Sequence, residues 1–120
     1  MIRFELPWPD PALAPNRKNG RHWSTVHHIK GAALMKGRAL CLQAISDSGY
    51  VPPVGKLSVA LTFCQPDKRR RDLDNLLASL KPAFDGISQA LGVDDQFFDP
   101  ITLKRGEVVK GGCVIVEIGC

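Results

Sequence analysis

Residues 66–75 read Pro-Asp-Lys-Arg-Arg-Arg-Asp-Leu-Asp-Asn. Four consecutive cations, Lys68, Arg69, Arg70 and Arg71, run directly into two carboxylates at alternate positions, Asp72 and Asp74. The cations suit a polyphosphate, and the carboxylates alone would repel one. Both make sense together when a divalent cation stands between carboxylate and phosphate. The competing reading is a solvated charged loop whose Asp residues cap the helix that follows.

The elements around this stretch are legible from periodicity. Residues 56–64 alternate Leu57, Val59, Leu61 and Phe63 with smaller residues and predict a strand that delivers the chain straight to the charged stretch. The stretch then lies at a strand's C-terminal end leading into a helix, a common ligand position in α/β sheets. Leu73, Leu76, Leu77, Leu80, Phe84, Ile87 and Leu91 form a helical stripe closed by Gly92. Pro82 conflicts with one continuous helix and predicts a kink or a break near Ser79. On a continuous helix Asp74, Lys81 and Asp85 would share a face away from that stripe.

Before this core, residues 2–6 alternate apolar and charged and predict a half-buried strand. A long proline-broken loop carries Arg17, Lys18, Arg21 and His22 beside Trp23, a mixture of cations and an aromatic that suits a nucleic-acid contact or a solvated loop equally. Residues 25–46 show helical spacing, weakened at Gly31 and Gly37. His27 and His28 have no partner pattern and read as surface residues. After the Leu-rich helix, Asp94 and Asp95 supply further carboxylates, and of Phe97 and Phe98 one belongs in the core. Residues 101–109 and 113–118 are strand-like, and Lys110-Gly111-Gly112 between them favours a tight hairpin. The last strand is nearly all apolar and belongs at the sheet centre. The order strand, helix, strand, helix, hairpin predicts an α+β single domain, residues 1–120, with a small mixed sheet and two helices packed on it.

The 120 residues are 44% hydrophobic and 23% charged, an ordinary globular composition, with net charge +4 that permits an anionic partner without demanding one. The initial apolar segment is cut short by Pro7 and Pro9, and no apolar run approaches the ~20 residues of a membrane helix. The expectation is a soluble, cytoplasmic protein with no membrane partner. Cys41, Cys64 and Cys113 sit in apolar stretches and read as small buried hydrophobes, while Cys120 is terminal; no zinc-like spacing occurs. Carboxylates without a Cys or His pattern select a hard cation, Mg²⁺ or Mn²⁺.

The residues Arg69-Arg70-Arg71-Asp72-Leu73-Asp74-Asn75-Leu76, then 81–85, then Asp94-Asp95-Gln96, resemble the RusA family of Holliday junction resolvases. Leu6-Pro7-Trp8-Pro9, Lys110-Gly111-Gly112 and the overall length match as well, so the resemblance covers essentially the whole chain. It implies a homodimeric, divalent-metal-dependent endonuclease of four-way DNA junctions, often prophage-encoded. The family's catalytic and metal-binding acids map onto Asp72, Asp74 and Asp95. Its functional lysine maps onto Lys81, across a three-residue insertion after Asp74. In this reading Lys68, Arg69, Arg70 and Arg71, with Arg17, Lys18 and Arg21, contact DNA phosphates, and the dimer matches the twofold symmetry of the junction. Two other functions fit the residues: a metal nuclease without junction preference, and a non-catalytic nucleic-acid-binding module whose acids only cap helices.

Overall fold

Alternating burial makes Ile2–Pro7 the first strand, β1, with Ile2 and Leu6 inward and Arg3 and Glu5 outward. The computed structural model describes residues 1–15 and 23–119; Arg17, Lys18, Arg21, His22 and Cys120 lie outside them. Asp10 caps a short 3-10 turn, Pro11–Leu13, its carboxylate accepting from Ala12 N at 2.8 Å. Helix α1, Trp23–Ser48, runs past the predicted end on both sides. Strand β2, Leu57–Cys64, buries Leu57, Val59, Leu61 and Phe63 almost completely.

The Leu-rich stripe folds as two helices, α2, Leu73–Ser79, and α3, Lys81–Leu91. The break at Leu80 resolves the conflict at Pro82. It places the proline in the first turn of α3, where its missing N–H has no helical partner to lose. A 3-10 turn, Asp95–Phe97, leads into β3, Phe98–Arg105, and the chain ends on β4, Cys113–Ile118. Phe98 is buried against Phe84, with ring centroids 5.8 Å apart, and Phe97 is exposed.

The fold is α+β, with a mixed four-stranded sheet in the order β1-β4-β2-β3. The apolar last strand is central as expected, but it does not form a hairpin with β3. Strand β2 lies between them, parallel to β3 and antiparallel to β4. The connection 106–112 therefore crosses the C-terminal end of β2, where Gly106 N donates to Phe63 O and Val109 N to Gln65 O. The glycines that signalled a tight turn bend this crossing instead: Gly111 and Gly112 hold φ of 81° and 72°.

One face of the sheet, carrying Ile2, Leu6, Val59, Leu61, Val114 and Val116, joins the helices in the core. Helices α1 and α3 approach so closely that a Cβ at Gly86 would lie 2.0 Å from Leu34 O, and one at Gly37 would lie 2.5 Å from Ala83 O. Gly37 thus serves packing. The opposite face carries small and polar residues, including Ala60, Thr62, Glu117 and the partly exposed Cys113.

Candidate nucleic-acid site

Strand direction brings three loops to one edge of the sheet. β1 and β2 each run antiparallel to β4, and β3 runs parallel to β2. The C-terminal ends of β1, β2 and β3 therefore coincide, and with them residues 8–11, 65–72 and 106–112. Gly112 lets two of these segments meet, since a Cβ there would come within 3.0 Å of both Trp8 and Pro66.

The segment after β2 is shaped from inside. Gln65 Nε2 donates to Arg69 O at 3.0 Å, and Asp67 Oδ1 accepts from Arg69 N at 2.9 Å. Gln65 Oε1 is buried without a hydrogen-bond partner. Arg71 donates to both oxygens of Asp67, at 2.8 and 3.3 Å, and lies 5.6 Å from the ring centroid of Trp8. Trp8 in turn stands edge-on to Phe63, with centroids 6.3 Å apart. The Arg71 hydrogen bonds, followed by that from Arg69 N, lower the Asp67 carboxyl to about 2.

The four cations thus divide into two kinds. Lys68, Arg69 and Arg70 are exposed, whereas Arg71 is half-buried and pinned between a carboxylate and an indole. Asp72 stands at the N-cap of α2 but makes no side-chain cap hydrogen bond, and Asp74 is exposed in the first turn. The capping role is thus not the one Asp72 fills. Beside it opens a cleft of about 510 Å³, walled by Trp8 and Asp10 on one side and by Arg70, Arg71, Asp72 and Asn75 on the other.

Asp95 and Lys81 form a separate cluster. Lys81 Nζ bonds Asp95 Oδ2 and lies 3.3 Å from Asp85 Oδ1. The bond to Asp95 is the main cause raising the Lys81 pKa, and the same bond lowers that of Asp95. Lys81 and Asp85 meet as predicted, but Asp74 does not join them; seven positions from Asp74 to Lys81 amount to about 10 Å of helix rise. Among the described residues no group of three or more His, Cys, Asp or Glu stands close enough to hold a metal ion. The three-carboxylate ligand set Asp72, Asp74 and Asp95 is therefore not assembled in one chain. Topology gives the reason. Asp72 follows the C-terminal end of β2, whereas Asp95 precedes the N-terminal end of the parallel β3, whose Phe98 pairs with Leu57 at the start of β2.

No family model matches the chain. Individual proteins do. An uncharacterized protein of Xylella fastidiosa (strain Temecula1 / ATCC 700964) is 35% identical over 122 residues, covering 98% of this chain and 76% of its own. The crossover junction endodeoxyribonuclease RusA of Escherichia coli (strain K12) is 33% identical over 121 residues, covering 95% of this chain and 92% of its own. The chain belongs to the RusA family. A RusA crossover junction endodeoxyribonuclease of Enterobacteria phage HK97 is 43% identical over a shorter stretch of 63 residues, 52% of this chain and 51% of its own.

Within this RusA-family chain, sequence reasoning missed Asp67 and the structural part played by Trp8. Asp67 opens the charged run four positions before Arg71, but that spacing signals an ion pair only on a helix, and this segment is a loop. Trp8 stood in the matched Leu6-Pro7-Trp8-Pro9, and no local signal joins it to a residue 63 positions later in the chain. Among the described residues no helix is long and apolar enough to cross a membrane.

Proposed function

We propose that this RusA-family chain is a divalent-metal-dependent endodeoxyribonuclease that resolves four-way (Holliday) junctions by paired, symmetric phosphodiester hydrolysis, acting as a homodimer in DNA recombination and repair. The observation that carries the reading is the pairing of uncapped, outward carboxylates with exposed cations: Asp72 and Asp74 follow Lys68, Arg69 and Arg70 beside an open cleft. The relatives named for crossover junction cleavage support the substrate class.

The donor set meets the needs of Mg²⁺ or Mn²⁺ in one form and not in another. Mg²⁺ is commonly held by one or two carboxylates, with waters and substrate phosphates completing its shell, and Asp72 with Asp74 fits that description. A cage of three carboxylates within one chain does not fit, because Asp95 is held by Lys81 elsewhere. When bound, such an ion supplies charge neutralisation at the phosphate and an acidified water.

The remaining work falls to the chain's own groups. Lys68, Arg69 and Arg70 contact phosphates flanking the scissile one. Arg71, Asp67 and Trp8 fix the loop so that Asp72 is presented at the mouth of the cleft. Lys81, kept protonated by Asp95 and Asp85, is a fixed positive charge for a neighbouring phosphate. Among the described residues Asp72 and Asp74 form one such acidic patch beside the exposed cations, and two symmetric incisions need two, which a twofold dimer supplies.

Purified protein in Mg²⁺ should cleave a synthetic four-way junction into nicked duplexes and leave linear duplex of the same sequences intact. Chelation should stop cleavage. Equal cleavage of both substrates would identify a general nuclease, and binding without cleavage would identify a binding module. Light scattering should give twice 13.1 kDa; a monomer that still resolves junctions would overturn the dimer.

A further inference from the structure

We propose that Cys64 and Cys113 form a reversible dithiol–disulfide pair, oxidised by small-molecule disulfides, that staples the sheet at the edge where the basic–acidic segment leaves it.

The two residues are direct partners in the antiparallel ladder between β2 and β4. Gly119 N donates to Ser58 O at 3.0 Å, so Ser58 and Gly119 are a hydrogen-bonded pair. Such pairs alternate along an antiparallel ladder, and counting up from Ser58 makes Cys64 and Cys113 another. Standard ladder geometry then sets their Cα atoms about 5.5 Å apart, within the span a disulfide bridges. Directly opposed residues project from the same face, and Cys64 is one of the neighbours that raise the Cys113 thiol. Both are free. Room for the sulfur is kept by Gly106, where a Cβ would stand 2.8 Å from Cys64 Sγ.

The two thiols differ in access. Cys64 is buried and Cys113 is partly exposed, correcting the reading of Cys113 as a buried hydrophobe. This division suits a two-step exchange. The Cys113 thiolate attacks a disulfide such as oxidised glutathione, forming a mixed disulfide and releasing one glutathione thiol. The Cys64 thiolate then attacks Cys113 Sγ, forming the Cys64–Cys113 bond and releasing the second. The protein loses two hydrogens and the small disulfide gains them. Burial first, then Cys64, then Glu5 of β1 push the Cys113 thiol up, so the exchange is slow at neutral pH. Cys41 is fully buried on α1, where burial pushes its thiol up to about 11, and takes no part.

The staple lies beneath the candidate site without belonging to it. Cys64 immediately precedes Gln65, which holds the loop carrying Arg69 and accepts from Val109 N, and Cys113 follows Gly112, packed on Trp8. Closing the chain between positions 64 and 113 removes freedom from the unfolded state and raises the melting temperature by roughly 10 °C.

The test uses the full chain carrying Cys120→Ser, incubated with oxidised glutathione at alkaline pH. Mass spectrometry should show a loss of about 2 Da, and peptide mapping should show a Cys64–Cys113 link. The melting temperature should rise by roughly 10 °C and return to its starting value with dithiothreitol. Adding Cys113→Ser should abolish all of these changes. Unchanged mass, a lasting glutathione adduct on Cys113, or copies cross-linked through Cys113 would overturn the proposal. A Cys64–Cys113 link with an unchanged or lower melting temperature would overturn the staple.

Discussion

Arg71 gives both terminal nitrogens to Asp67, at 2.8 and 3.3 Å, while its guanidinium lies 5.6 Å from the Trp8 ring centroid. A guanidinium engaged by a carboxylate at its edge and an indole beside it has little left to offer a phosphate. Arg70, one position earlier, is exposed. Replacing Arg70 with Ala should lower the slope of log affinity against log salt by about 0.9, the value of one lost phosphate contact. Replacing Arg71 with Ala should leave that slope near wild type and lower the melting temperature by a few degrees. Salt titrations of junction binding, paired with thermal melts, check both. An Arg71→Ala variant that melts normally but loses a full unit of slope would return Arg71 to the phosphate contacts.

The Asp67–Arg71 pair also has a pH signature. The Asp67 carboxyl is lowered from 3.8 to about 2 by the hydrogen bonds from Arg71 and then Arg69 N. A depressed carboxylate stabilises the fold fully above its unfolded pKa, and that contribution is lost as pH falls through the folded value. The wild-type melting temperature should therefore fall between pH 4 and pH 2 partly through this group. Asp67→Asn should melt lower at neutral pH and show a shallower decline across that window. Parallel acid titrations of the two proteins, followed by circular dichroism, measure the difference; superimposable profiles would show that the pair contributes nothing.

The glycines of the helix pair give opposite results for one substitution. A methyl at Gly86 would meet Leu34 O at 2.0 Å and Arg38 N at 2.7 Å, both backbone atoms of α1 that cannot yield cheaply. Gly86→Ala should cost about 3 kcal/mol. A methyl at Gly31 meets nothing within 4 Å, and Gly31→Ala should stabilise by about 0.5–1 kcal/mol through helix propensity alone. Denaturant unfolding of both variants decides it.

The same contrast shows what was legible in the sequence. Gly31 and Gly37 carry the same local penalty, and only the partner helix distinguishes a spare glycine from one against Ala83. Strands β1, β2 and β4 and the break before Pro82 were readable because period-two burial and proline chemistry are local. The pairing of β3 was not. Gly111-Gly112 signals a turn whichever strands it joins, and the insertion of β2 between β3 and β4 is decided by long-range burial of Leu57, Val59, Leu61 and Phe63. The site followed the same rule. The run from Lys68 to Asp74 was visible as a run, whereas the distance of Asp95 from it depends on β3 lying parallel to β2.

The carboxylates carry the decisive prediction. Asp72→Asn and Asp74→Asn should each reduce junction cleavage by at least a hundredfold while leaving the melting temperature and junction affinity close to wild type. Asn nearly matches Asp in shape, and Asp72 makes no cap bond to lose. What disappears is the charge that a divalent cation needs, and with it the repulsion of the phosphate, so affinity without metal should if anything rise. Asp95→Asn should lower cleavage by a different route, through Lys81, the fixed charge proposed for a neighbouring phosphate. It removes the principal partner of Lys81 and with it the main cause raising that lysine's pKa, so the variant's activity should begin to decline at a lower alkaline pH than that of wild type. Asp94→Asn is the internal control. The Asp94 side chain accepts from Gln96 N at 3.0 Å to cap the turn before β3, a bond Asn also accepts, so activity and stability should be unchanged. Cleavage rates in Mg²⁺, junction affinities in its absence and circular dichroism for all four variants are the measurements. Wild-type cleavage by Asp72→Asn or Asp74→Asn would move the chemistry away from the end of β2, and a dead Asp94→Asn beside an active Asp95→Asn would exchange the roles of the two neighbouring acids.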